Sequence, residues 1–362
     1  MKTNVEKLLI IVVAAVVGSI GCQGPAPFDR SAMLSDIANN HVLPTLSQLE
    51  VNVQALEGAT VAFINQPNAA NLQQAQSNWK TTMETWSQVE QLYFGPGQEK
   101  FLYIQLDNTP TAPFFIERVI QDTTVIDSLS IQDRSSYTKG LGSIEYLLFE
   151  GNTGRTDLLQ QYQTHTNAQR RKAYLLSTVQ YTKGLIQTLY NGWRPAGGNF
   201  AQTLSEAIDD KMTSGLSRYT NAIIHMSQTM ARKKIGKPLG KETKTIDPTL
   251  VESPYGAHTY AIIRNNLKGI EAVFGRLEDN RLGAILTDVT GSDAATKRIL
   301  GELDALAQLL DQRTSTLQQD LINDPAAVEA LYQATKSLHE QLKNELTMAF
   351  SITILANPDD GD

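Results

Sequence analysis

The chain has 362 residues, 41% hydrophobic and 19% charged, and 31 Lys and Arg against 38 Asp and Glu give a net charge of −7. That is enough apolar material for one large core or two medium ones, with length favouring two, and only 24 glycines and 13 prolines argue against disorder. The acidic balance excludes nucleic acid as a partner, and a single cysteine excludes an internal disulfide.

Residues 1–21 read as an export signal: Lys2 and Lys7, an unbroken apolar run from Leu8 to Val17, then Gly18, Ser19, Ile20 and Gly21. The run is too short to span a bilayer once its cleavage end is counted. Cys22 stands directly after Gly21, so the segment resembles that of a bacterial lipoprotein with Cys22 as the acylated first residue, although Ser19 occupies a position usually held by Leu. An ordinary secreted protein with an idle thiol is the alternative. Gln23 in place of Asp resembles lipoproteins sent on to the outer membrane. Cleavage removes two lysines and Glu6 and leaves 29 basic against 37 acidic residues. Residues 22–30 form a tether rich in small residues, Pro and Gly.

The first helix is expected over 31–64, with Leu46, Leu49, Val53 and Leu56 at heptad-like spacing and a kink at Pro44. After a turn at 65–68 comes a second helix whose stripe is Leu72, Ala75, Trp79, Met83, Trp86, Glu90 and Tyr93. Glu90 on an aromatic stripe needs a partner or a ligand, unless it sits at a helix end open to water. The segment Phe94–Gly97 stops this helix, and Leu106, Asp107, Asn108, Thr109 and Pro110 form a non-periodic loop in which Asp107 reads either as an Asx turn or as a site residue.

A helix over 113–125 leads to the stretch Tyr137–Gly151. Tyr137, Leu141, Ile144 and Leu148 make one core-facing stripe there, and Glu145 lies on the stripe beside it. Gly140 and Gly142 would each cost roughly 1 kcal/mol in a helix interior, so something comes close to the backbone: a neighbouring helix, or a ligand. A turn near 152–157 and a helix through Gly192 follow, and the linker Arg194–Phe200 divides an N-terminal bundle, 31–193, from a C-terminal one, 201–362. A helix over 201–230 ends in the basic run Ala231–Gly240, whose lysines oppose the helix dipole or, alternatively, face an anion. In Val251–Gly275 Ser253 is placed to cap a helix opening at Pro254, with Asn266 among its polar residues. Two helices near 293–317 and 326–348 precede an alternating run, Ser351–Leu355, expected as a short strand, and an acidic tail at 357–362.

Four of these segments together resemble the imelysin family. Gly140, Glu145, Tyr146, Leu147 and Leu148 match its Gly-x-His-x-x-Glu signature, Asp107 to Pro110 its Asp-x-Trp-Pro loop, Ser253 and Tyr255 its Ser-x-Tyr motif, and the tail its acidic ending. Gly142 stands where the family has the histidine of its metal-binding pair, and Thr109 replaces the tryptophan. The resemblance implies an all-α fold of two helical bundles side by side. It also implies a shared cleft built from Glu90, Asp107, Gly140, Gly142, Glu145, Ser253, Tyr255 and Asn266, with Glu145 as the remaining metal ligand.

The chain lacks HExxH, a phosphate loop, a GxSxG elbow and a dinucleotide fingerprint, so the residues do not point to a zinc peptidase. The expected function is a lipid-anchored envelope protein tied to iron uptake, held to the outer membrane through Cys22 and working with iron-uptake proteins. A divalent metal or iron is the expected bound species. A metallopeptidase, intact or degenerate, and a pure interaction scaffold are the alternatives.

Overall fold

The computed structural model describes residues 27–99, 101–149 and 157–355. The export signal, Cys22, most of the tether, the turn near 152–156 and the acidic tail lie outside the described residues. The Asp29 side chain accepts from Ala32 N and caps α1 (Arg30–Ile37), which continues through a π-helical turn, Ala38–Val42, into α2 (Leu43–Asn65). Pro44 sits in the first turn of α2, and the wider π turn before it accommodates the hydrogen bond that proline cannot make.

Asn68 accepts from Asn71 N and starts α3 (Ala69–Ser87), whose Ala75, Trp79, Met83 and Trp86 are buried as the spacing predicts. The helix stops at Ser87, so Glu90 lies in the turn that follows instead of on the stripe. Four short helices come next: α4 (Pro96–Glu99), α5 (Leu102–Leu106), α6 (Pro113–Gln121) and α7 (Ser128–Gln132). Then α8 (Gly140–Phe149) carries Glu145, with all ten of its residues buried. Tyr137 is not on its stripe; it belongs to a separate 3-10 turn and is 45% exposed. Gly140 explains the break. Its φ of +76° suits glycine, and a Cβ there would run into the Leu106 carbonyl, so the residue turns the chain into α8 and is no gap inside it.

After α9 (Leu158–Gln163), the long α10 (Ala168–Trp193) packs on α2 and α8, and these with α3 form the first helical group. The linker after it is itself packed, the Trp193 and Phe200 rings meeting edge-on at 5.0 Å. The predicted helix over 201–230 is two helices, α11 (Phe200–Glu206) and α12 (Gly215–Thr229), because Ser214 accepts from Ser217 N and starts a new one. A second π turn, Met230–Gly236, extends α12. There follow α13 (Thr259–Phe274), α14 (Leu282–Thr290), α15 (Ala294–Asp311), α16 (Leu317–Asn323) and α17 (Pro325–Phe350).

α12, α13, α15 and α17 form the second group, and α13 lies against α3 of the first. One continuous cluster of buried apolar side chains runs from Met33 to Leu346. The fold is all-α, and the expected strand at 351–355 does not form. In place of a strand ladder the Asn221 side chain holds that segment, donating to Thr353 O at 3.3 Å and accepting from Leu355 N at 2.8 Å. No described helix is long and apolar enough to cross a membrane.

Candidate functional site

α8 is fixed from several sides before its carboxylate is considered. Trp79 Nε1 donates to Leu141 O at 2.9 Å, Tyr162 Oη to Leu147 O at 2.9 Å and Gln76 Nε2 to Leu148 O at 2.7 Å, so neighbouring helices hold carbonyls along its length. On this frame Glu145 is 2% exposed, and one of its oxygens, Oε1, accepts from Ser253 Oγ (2.7 Å), Tyr255 N (3.0 Å) and Gly256 N (2.6 Å). Ser253 does not cap a helix at Pro254. α13 begins only at Thr259, and the Ser253 hydroxyl serves Glu145 while accepting from His258 N at 3.2 Å.

Gly256 packs closely in this turn: a Cβ there would lie 3.1 Å from Trp79 and 3.3 Å from Glu145 Oε1, so both would have to give slightly. Burial pushes the Glu145 carboxyl up to about 7, against the three donors, which favour its charged form.

A second group adjoins the first through the chain itself, because Glu252 precedes Ser253. Glu90 from the turn after α3, Asp107 from the end of α5 and Glu252 bring carboxylate oxygens within 4.8 Å of one another. Lys234, from the second π turn, reaches into this set. Its Nζ lies 3.1 and 2.9 Å from the two oxygens of Glu90 and 2.7 Å from Glu252 Oε1, and the side chain is 4% exposed. Asn266 on α13 donates from Nδ2 to Ser87 O and to Glu90 Oε2, each at 2.8 Å.

Two acceptor groups of this set lack a donor. Both oxygens of Asp107 are shut off from solvent with no hydrogen-bond partner among the described residues, and so is Oδ1 of the fully buried Asn266. Burial, and then the charges of Glu252 and Glu90, hold the Asp107 carboxyl well above the usual carboxylate range; Lys234 opposes them. The group floors a cleft of about 420 Å³ whose rim carries Arg232, Lys233 and Lys237. A smaller pocket of about 70 Å³, lined by Trp86, Tyr93, Tyr103 and Met226, reaches Glu90 and Asp107 from another side.

Six of the eight residues expected in a shared cleft thus fall into two neighbouring sets. Glu90, Asp107 and Asn266 belong to the open, charged one. Glu145, Ser253 and Tyr255 form the closed one, with the Tyr255 ring against Tyr146 at 5.2 Å. Gly140 shapes the backbone. Gly142 faces the Asp107 loop: a Cβ there would stand 2.5 Å from Thr111 Oγ1 and 4.0 Å from Asn108 O, so a histidine side chain would have to displace Thr111.

Lys234 and Glu252 were not among the residues singled out from sequence. Glu252 had a signal in its position directly before the Ser-x-Tyr motif, and Lys234 had none that set it apart within a basic run.

At the motif positions, residue 142 offers no donor atom and Glu145 Oε1 accepts three hydrogen bonds, so Oε2 is the oxygen this pair has to offer an ion. The set Glu90, Asp107 and Glu252 does fit a hard, oxygen-seeking cation, since it offers carboxylates only and Asp107 has no hydrogen-bond donor among the described residues.

Comparison with known proteins agrees with this frame. A structure of an imelysin-like protein from Psychrobacter arcticum superposes with a TM-score of 0.74 at 17% identity, covering 91% of this chain and 97% of that one. A putative iron-regulated protein A precursor from Parabacteroides distasonis gives 0.72 at 18%, with the same coverage. Iron-regulated protein A of Synechococcus elongatus is 25% identical over 296 residues, 80% of this chain and 74% of that protein. The imelysin family model matches residues 42–344, and the chain belongs to the imelysin family.

Proposed function

We propose that the protein is a cell-envelope binding component of iron acquisition, which takes a hard cation, with ligands that the ion brings, into the cleft floored by Glu90, Asp107 and Glu252. The observation that carries this reading is the Asp107 carboxylate, buried without a donor beside two further carboxylates. Such an arrangement costs several kcal/mol in a protein that does not use it. A cleft of about 420 Å³ exceeds what a bare ion needs and lies in the range of small-molecule sites, about 300–1,000 Å³. Its basic rim suits the anionic groups of a chelated ion. Iron as the context rests on the name of the Synechococcus relative.

On the same reading Cys22 carries the lipid that holds the chain at the outer membrane, the bundles 31–193 and 201–362 supply the two walls of the cleft, and iron-uptake proteins of the envelope are its partners.

The test is elemental analysis of protein purified without nickel, followed by titration with MnCl2 and, under anaerobic conditions, FeSO4. The expected result is binding that Asp107→Asn weakens at least tenfold and Glu145→Ala retains. A chain that takes up neither ion is a scaffold, and chelator-sensitive proteolysis would instead make it a peptidase.

A further inference from the structure

Lys234 already sits on two of the three carboxylates of the proposed site. An ammonium has three N–H donors, and the three contacts to Glu90 Oε1, Glu90 Oε2 and Glu252 Oε1 use all of them. The carboxylates it bridges are two of the three whose oxygens converge within 4.8 Å. Two carboxylates face the ammonium at hydrogen-bond distance, so its charge is balanced where it lies.

The backbone that delivers it is unusual as well. Lys234 lies in the π-helical turn Met230–Gly236, a departure from helical register that is rare and tends to mark functional positions. Arg232, Lys233 and Lys234 from this turn all line the cleft, whose open volume gives the lysine chain somewhere to go.

We infer that Lys234 is the resident cation of the carboxylate site and that a metal ion enters by exchange with it, the ammonium leaving Glu90 and Glu252 and swinging toward the cleft mouth as the ion arrives. This rests on the reading of the cleft given above. The exchange breaks no covalent bond and moves no electron; one positive centre replaces another on the same oxygens. It sets the selectivity of the site. A monovalent ion gains nothing over an ammonium already held by three hydrogen bonds, whereas an ion of higher charge does. It also makes Lys234 the internal competitor that keeps Glu90 and Glu252 together while no ion is bound.

Two measurements on the full mature chain test this. Wild-type protein is acetylated with an amine-reactive ester with and without saturating MnCl2, and modification of Lys234 is followed by peptide mass spectrometry against the exposed Lys336. Lys234 is expected to be protected alone and to become at least threefold more reactive with the ion. Titration of Lys234→Gln with MnCl2 should give at least tenfold tighter binding than wild type.

Wild-type protein that binds Mn2+ while Lys234 stays protected, together with a folded Lys234→Gln that binds no more tightly, overturns the exchange and leaves the cleft reading standing. Failure of both proteins to bind Mn2+ or Fe2+ overturns both. Should Lys234→Gln not fold, the labelling of the wild type decides the question by itself.

Discussion

Glu145 and Asp107 are both carboxylates taken out of water in one region of the protein, and they differ in what surrounds them. Glu145 keeps three donors on one oxygen, two of them backbone N–H groups of the turn at Tyr255 and Gly256. Asp107 keeps none. Donors fixed in the backbone cannot move aside for a ligand, so the first arrangement holds the fold together. A lone carboxylate beside an ammonium on a long flexible stem can accept a replacement, so the second is built for exchange. On the closed side position 142 is glycine and supplies no donor atom, and the acid without a hydrogen-bond donor among the described residues, Asp107, lies on the other.

The largest effect should come from the helix that supports the closed side. Trp79 is 1% exposed, meets Phe149 at 5.3 Å, bonds the Leu141 carbonyl and abuts Gly256. Trp79→Ala should cost about 3–5 kcal/mol in denaturant unfolding. A variant that unfolds at the wild-type midpoint would show that α8 and the 253–256 turn do not depend on it.

Next in size is Glu145→Ala, which strands the Ser253 hydroxyl and two backbone N–H groups and should cost about 2 kcal/mol. Binding of Mn2+ should persist within a few-fold. Loss of binding with little loss of stability would reverse the assignment of the two carboxylates.

Much of this frame was legible in the sequence. The 3.6-residue recurrence of Ala75, Trp79, Met83 and Trp86 marked a buried face, and the matched motifs carried the fold and the Glu145 helix. What periodicity could not show is where a helix stops and which remote charges meet. Glu90 follows the stripe numerically but lies three residues past the helix end, and its partner Lys234 is 144 residues away in a run that reads as solvated. The positive φ of Gly140 and the Asn221 side chain that replaces a strand ladder are likewise tertiary facts, set by Leu106 and by the last described residues. Asp107 was named as a candidate, yet its want of a donor appears only when the packing around it is seen.

A third effect separates the two groups by pH. Glu145 titrates near 7 in the folded chain and near 4.5 when unfolded, so the unfolded state gives up its proton first. Its contribution favours the fold below about pH 4.5 and is lost as pH rises through 7, at up to about 1.4 kcal/mol per pH unit. Against Glu145→Gln, wild type should therefore lose relative stability between pH 5 and 7 and level off above. A flat difference over that window would mean that the carboxyl is not desolvated.

The smallest change in stability belongs to Asp107→Asn, and it is the most discriminating of the set. Burial and two neighbouring acids hold the Asp107 carboxyl well above its ordinary range, so its contribution also favours the fold at low pH and is lost as pH rises through its folded value. At pH 7 the native side chain is then a liability, and an amide of the same shape relieves the repulsion and offers N–H donors to the adjacent carboxylates. Unfolding of Asp107→Asn at pH 7 should be unchanged or up to about 1 kcal/mol harder, a gain that shrinks toward pH 4. Ion binding should fall by at least tenfold, because the one ligand with no other partner is gone. A residue whose loss stabilises the fold and removes binding is kept for binding, whereas destabilisation by more than about 2 kcal/mol would place Asp107 beside Glu145 as a structural acid.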